Sequence, residues 1–319
     1  MTSASVGARG SGQARTRRGQ AAHLSWSIGR LVLASLVLTS CCGCRLPVYG
    51  GSKSRSVLTS RQLSQQGASA LYRQDWTTAE KLFARAVEAC PQDVDARRQY
   101  AETLWHRGAR TEATAQLAEA VKEAPEDARL LDRLAEFHLV AGQLAEARHD
   151  AELAIDLEPK SADAWMVRGR IMRQLGDNRQ ALADLHRALS YDPRNTAILH
   201  ELARTYLAIG EPDRALANLH SVLEQHAPGD EPAQLMFETG LAYAGLHRFD
   251  EAVESYHHAI ARDQGNPEIL YCLSEAEMAR GNTAEARIAL EQAAARDPGN
   301  PRYQELMARL PGRGPAQSR

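Results

Sequence analysis

His200-Glu201-Leu202-Ala203-Arg204 is the stretch that comes nearest to a catalytic motif. A helical zinc-hydrolase site needs a second imidazole four residues after the first, with a glutamate between them as general base. Arg204 stands in that place, and a guanidinium has donors only. His186, His220 and His257 suggest a second metal arrangement, because they recur at intervals of 34 and 37 residues. Equivalent side chains on stacked helices sit about 10 Å apart, whereas zinc holds each imidazole nitrogen at about 2.0–2.1 Å. These histidines are therefore expected to be polar residues of an outer face. The chain has no Walker-type phosphate loop and no nucleophile elbow, and no C-x-x-C pair outside the N-terminal cluster Cys41-Cys42-Gly43-Cys44. No catalytic residue, cofactor, metal or small-molecule substrate is expected. What chemistry remains belongs to cysteines near the N-terminus and to arginines in the middle of the chain. The first could carry a lipid; the second could hold carboxylates in bidentate pairs.

The elements that position the arginines repeat. Ala181 has counterparts at Ala79, Ala113, Ala147, Ala215, Ala252 and Ala286, spaced by 34 residues except for one interval of 37. Residues 162–195 show the unit. A helix is expected from about Asp163 to Leu175, ended by Gly176, which suits a left-handed C-cap. A second runs from about Asn178 to Tyr191 and stops before Pro193. Ala181 and Ala188 let the two backbones approach closely, and Leu182, Leu185 and Leu189 give an apolar face at helical spacing. One such hairpin cannot bury that face alone, so copies must stack.

Trp165, Gly169, Gly176, Ala181, Leu185, Ala188 and Pro193 stand at offsets that resemble the tetratricopeptide repeat, whose pattern is W-x2-L-G-x2-Y, then A-x3-F, then Pro. Seven copies fit, at 60–93, 94–127, 128–161, 162–195, 196–229, 233–266 and 267–300. The resemblance implies an all-α, right-handed superhelical solenoid of helix-turn-helix units. Residues 227–232, APGDEP, lengthen one turn by three residues, where a local change of pitch is expected. Pro301 to Leu310 is expected to be a capping helix, with Tyr303, Leu306 and Leu310 covering the last apolar face, and 311–319 a disordered tail. An apolar content of 44% with only 5% aromatic residues fits Ala- and Leu-rich helices.

Residues 1–40 hold five arginines and no acid, leaving the remainder with 33 basic and 40 acidic residues, a net charge of −7. That balance disfavours nucleic acid as a partner. Arg9, Arg15, Arg17, Arg18 and Arg30 make a positive n-region before the short apolar segment Ile28–Leu38. Leu38-Thr39-Ser40-Cys41 resembles the lipobox of bacterial lipoproteins, which implies cleavage before Cys41 and a diacylglycerol on its sulfur. Cys44 is the weaker candidate. Residues 45–59 read as a flexible tether, and the expected location is the cell envelope, on the periplasmic or outer face of a bacterial membrane. Cys90 and Cys272 lie several repeats apart, beyond the roughly 7 Å that a disulfide spans, and are expected to remain thiols.

In tetratricopeptide proteins the first helices line a concave groove for peptides or partner helices, chiefly through the second, fifth, ninth, twelfth and thirteenth positions. Carried onto this chain, those positions hold Tyr72, Arg98, Glu102, Trp105, His106, Asp132, Glu136, Met166, Arg170, Arg173, His200, Arg204, Phe237, Leu241, Tyr271, Glu275 and Met278. A basic centre is expected, in which Arg170, Arg173 and Arg204 hold an acidic segment while Trp105 and Phe237 supply apolar contacts. Arg98, Met166, His200 and Tyr271 complete the expected partner surface. The resemblance implies a non-enzymatic scaffold serving a secretion, pilus or polysaccharide-export machine. The alternatives are an accessory subunit that positions a partner enzyme, or a cytoplasmic adaptor if the signal is not processed.

Overall fold

A computed structural model describes residues 51–227 and 229–310. Cys41 and the expected signal, residues 45–50 of the tether and the C-terminal tail lie outside the described residues. Among them run fifteen α-helices and no strand: α1 Gly51–Tyr72, α2 Trp76–Ala89, α3 Val94–His106, α4 Arg110–Glu123, α5 Ala128–Val140, α6 Leu144–Leu157, α7 Ala162–Gln174, α8 Asn178–Tyr191, α9 Thr196–Ala208, α10 Pro212–Leu223, α11 Ala233–Gly245, α12 Phe249–Arg262, α13 Pro267–Ala279, α14 Thr283–Arg296 and α15 Pro301–Arg309. Odd-numbered helices up to α13 are the first helices of seven hairpins, even-numbered ones the second.

One turn geometry builds all seven hairpins. After α7, Gly176 takes φ of +83°, its N–H donates to Arg173 and the Asp177 N–H donates to Met172, a Schellman closure. Asp177 then caps α8 by accepting from the Gln180 N–H. The reach-back bond recurs as Asp75 to Ala70, Ala109 to Leu104, Gln143 to His138, Glu211 to Tyr206, Arg248 to Tyr243 and Asn282 to Glu277. Two copies place a side chain where the left-handed residue belongs, with Gln74 and His247 both at φ 59°. The αL region costs an L-residue about 1–2 kcal/mol. Gln74 is exposed, so Gln74→Gly should raise the free energy of unfolding by about 1 kcal/mol, read as a higher thermal midpoint.

The helices pack through small residues set against large ones. All seven periodic alanines are fully buried. The eighth position of each repeat faces the second helix, and a Cβ built on Gly67, Gly169 or Gly240 would meet Phe83, Leu185 or Tyr256 at 2.7, 2.8 and 2.4 Å. Repeats two and five instead carry Ala101 and Ala203 where Leu117 and Leu219 stand in the second helix.

Beyond sequential neighbours, α5 packs on α7, α7 on α9, α9 on α11 and α11 on α13. First helices thus touch along one side of the stack and form its inner face. The lengthened turn after α10 does not interrupt the core, because Leu219, Val222 and Leu235 share one cluster. Its Glu231 carboxylate accepts from the Gly229 N–H and from Arg262 of the next repeat. Tyr303, Leu306 and Leu310 are buried on the last repeat, so α15 covers its apolar face.

The N-terminal boundary differs from the sequence expectation. Residues 51–59, read as tether, extend α1. Ser60 is not a helix cap: it is fully buried, and its hydroxyl donates to Asp93 at 2.7 Å. Asp93 in turn caps α3 through the Ala96 N–H.

Candidate functional site: the inner face of the first helices

Charged side chains form a continuous ladder on the inner face. It starts at Arg133 of α5, whose Nε and Nη2 each donate at 2.7 Å to the two oxygens of Glu102 on α3. Arg133 also donates to Glu136 one turn on. Hydrogen bonding to these two carboxylates holds the Arg133 guanidinium well above its ordinary pKa. Arg170 of α7 lies 3.5 Å from Glu136 and 3.4 Å from Glu201 of α9. Glu201 also accepts from Arg173 at 3.0 Å and from Arg204 at 3.2 Å. Arg204 reaches on to Glu238 of α11 at 3.5 Å, and His200 Nε2 is 2.5 Å from the same carboxylate. The Arg133–Glu136 and Arg204–Glu201 links run along single helices, and the others each cross one boundary between repeats, from the second repeat to the sixth.

The arginines expected to await a ligand therefore already have carboxylate partners. Glu201 serves three of them and is 8% exposed; Glu238 is 4% exposed. The centre is charge-balanced, with four guanidinium groups against four carboxylates and His200 at the end. Glu201, Glu238 and Arg133 occupy the sixth position of their repeats, which the five-position groove pattern leaves out. The available signal was the recurrence of an acid at 201 and 238, one 37-residue interval apart, with Arg204 one turn after Glu201.

The apolar candidates lie deeper than expected. Met166, Phe237 and Tyr271 are buried at 9, 8 and 8% exposure. Phe237 packs against Tyr256, and Tyr271 against Tyr303. Trp105 is half-buried, stacked on Phe137 of the next first helix with centroids 3.9 Å apart. Trp105 thus joins repeats two and three, Tyr271 joins the last repeat to α15, and Phe237 packs the two helices of its own repeat. Arg98 is exposed and holds only a 3.7 Å contact to Asp95. Tyr72 is 92% exposed.

Asp132, at the fifth position of α5, has a buried Oδ1 without a hydrogen-bond partner. Burial, then the charges of Glu136 and Asp163, push its pKa up from 3.8 to about 7, against the opposing pull of Arg133 and Arg170. The folded chain therefore binds this proton more tightly than the unfolded chain, and stability falls as pH rises from about 4 to about 7. Asp132→Asn should remove that part of the slope and stabilise the protein at pH 8, as urea midpoints across the pH range would report.

The outer-face histidines pair with tyrosines. His186 Nε2 is 2.8 Å from the Tyr206 hydroxyl and His220 Nε2 is 3.2 Å from that of Tyr243. His257 is exposed. Among the described residues no group of His, Cys, Asp or Glu could hold a metal ion. Cys90 and Cys272 are both free thiols, and burial pushes Cys272 up to about 12.

The ladder and its turns sit on a repeat whose family can be compared directly. A tetratricopeptide repeat family model matches residues 70–136, 172–236 and 243–310, and a second of the same description matches 133–177. The chain belongs to the tetratricopeptide repeat family. Comparison with curated protein sequences finds no significant match. Among solved structures, a tetratricopeptide repeat protein from Parabacteroides merdae is similar over 79% of this chain and 98% of its own, with a TM-score of 0.60 and 14% identity. PilW, a widely conserved type IV pilus biogenesis factor, covers 66% of this chain with 96% of its own, at TM-score 0.59 and 19% identity. PilF of Pseudomonas aeruginosa covers 68% with 97% of its own, at TM-score 0.59 and 17% identity. At these identities the likeness is one of fold. Tetratricopeptide repeats are protein-interaction modules, and the family matches run from Ala70 to Leu310.

Proposed function

We propose that the protein is a non-enzymatic scaffold at the bacterial cell envelope, anchored by a lipid on Cys41, that holds a partner protein along its inner face. The observation that carries the reading is the ladder itself. A row of charged groups from Glu102 to Glu238, with the arginines partly exposed and the Glu201 and Glu238 carboxylates nearly buried between them, gives a partner a polar track of about one repeat per step. Arg98, Trp105, Arg170, Arg173, His200 and Arg204 contact the partner, while Met166, Phe237 and Tyr271 support that surface from below. An acidic partner segment exchanges with the ladder glutamates for the same guanidinium groups.

The envelope assignment draws on the Leu38–Cys41 lipobox resemblance and on fold likeness to pilus-biogenesis proteins. No helix among the described residues is long and apolar enough to cross a membrane; attachment on this reading is through the lipid on Cys41. Serving a secretion, pilus or polysaccharide-export machine is part of the proposal. Membrane fractionation with intact-mass analysis tests it. The mature wild type should begin at Cys41, carry a diacylglycerol and sediment with membranes, and Cys41→Ala should do none of these. A soluble wild-type chain that retains residues 1–40 would sink the anchor.

A further inference from the structure

The ladder does not reach the inner face between α1 and α3, which is open among the described residues. Between α1 and α3 lies a solvent-connected pocket of about 770 Å³, within the roughly 300–1,000 Å³ range of ligand-binding clefts. Val57, Arg61, Ser64, Asp95, Arg98 and Gln99 line it. Apart from Val57 these are the second, fifth and sixth positions of repeats one and two, so the pocket continues the surface that carries the ladder. Val57 belongs to the unexpected N-terminal extension of α1, which supplies one wall.

Its polar groups are unspent, in contrast with the centre. Ser64 Oγ and Gln99 Oε1 are buried and have no hydrogen-bond partner. Arg61 is exposed and has no partner among the described residues, and Arg98 holds only the 3.7 Å contact to an Asp95 that is itself 82% exposed. The other lining acid, Asp93, is committed to Ser60 and the Ala96 N–H. The pocket thus offers guanidinium groups, with an unpaired hydroxyl and amide oxygen covered just beneath its wall. That set complements a carboxylate together with a main-chain amide.

We propose that this pocket anchors an extended acidic segment of the partner, with an Asp or Glu carboxylate on Arg61 and Arg98. The Ser64 and Gln99 side chains turn outward so that the segment's peptide group satisfies Ser64 Oγ and Gln99 Oε1. A carboxylate arriving at Arg170, Arg173 or Arg204 must first displace Glu136, Glu201 or Glu238; one arriving at Arg61 displaces no partner among the described residues. The inference rests on the inner-face reading above and adds to it where the segment is gripped and by what chemistry.

Fluorescein-labelled Ala-Glu-Ala-Glu-Ala-Glu, and the same peptide with Gln for Glu, titrated against the full chain by fluorescence anisotropy, test this. The acidic peptide should bind more tightly than its neutral counterpart. Arg61→Glu/Arg98→Glu should weaken it by about tenfold or more, the scale of a charge-assisted contact, at unchanged thermal midpoint. Gln99→Leu should weaken both peptides, because it removes the acceptor for their main chain. Equal affinity for the two peptides would overturn the proposal. So would affinity that survives the Arg61/Arg98 reversal but is lost in Arg170→Glu/Arg204→Glu; that result would leave the inner face as the binding surface and move the grip to its centre.

Discussion

Gly240→Ala should lower the stability of the sixth repeat by about 1–3 kcal/mol, the usual range for overpacking a filled core. A Cβ there would sit 2.4 Å from Tyr256 Cε1 and 2.6 Å from Cδ1. The ring cannot yield, since Tyr256 is 1% exposed and wedged against Phe237. Gly240 lies inside α11, where alanine is the better helix former, so the steric cost has to overcome a favourable local term. The pairings elsewhere in the stack suggest the rescue. Repeats two and five hold Ala101 and Ala203 at this position with Leu117 and Leu219 in the second helix. Tyr256→Leu should therefore recover part of the loss when combined with Gly240→Ala, while costing stability alone by opening a void beside the glycine. Urea unfolding of the four chains gives the coupling. Additive losses would mean that the two residues do not constrain one another.

Glu201→Ala should cost about 1–3 kcal/mol, the penalty for leaving charged donors without their acceptor, and should change the inner face more than any other single truncation. One carboxylate, nearly buried, serves Arg170, Arg173 and Arg204. Arg173 is 17% exposed and its Nε already lacks a partner, so its guanidinium would be left with no acceptor. The more exposed Arg204 keeps Glu238 and Arg170 keeps Glu136, which limits the loss. Glu136→Ala should cost less, because Arg133 keeps both of its bonds to Glu102. The destabilisation of Glu201→Ala should also shrink as salt rises, since screening weakens the wild type's own Glu201 pairs, most of all that with the more exposed Arg204. Equal stability of Glu201→Ala and wild type at low salt would show that the ladder contributes nothing net.

The repeat was legible because its signals are local. Gly176 fixes a left-handed turn, Ala181 and Ala188 permit close approach, and α8 runs from Asn178 to Tyr191 as the sequence implied. Legibility failed where partners come from another repeat. Ser60 has the side chain of a helix cap, yet its hydroxyl goes to Asp93, 33 residues on. Residues 55–59 before it have no apolar period because they are mostly exposed. On the inner face, position alone does not say whether a side chain faces a partner or a neighbouring helix. Long apolar groups such as Met166 and Phe237 fold inward between helices. The arginines reach across to the neighbouring repeat instead, and their acceptors at Glu201 and Glu238 become apparent only when the helices are stacked.

The most direct measurement is site-specific photocrosslinking of the full chain in its native membrane. Benzoylphenylalanine at Arg98 or Arg204 would report on the inner face, and at Lys122 or His258, both exposed on second helices, on the outer. The account predicts a discrete adduct from the inner positions and none from the outer ones. Adducts from Lys122 or His258 alone would contradict it and place the partner on the opposite side of the solenoid.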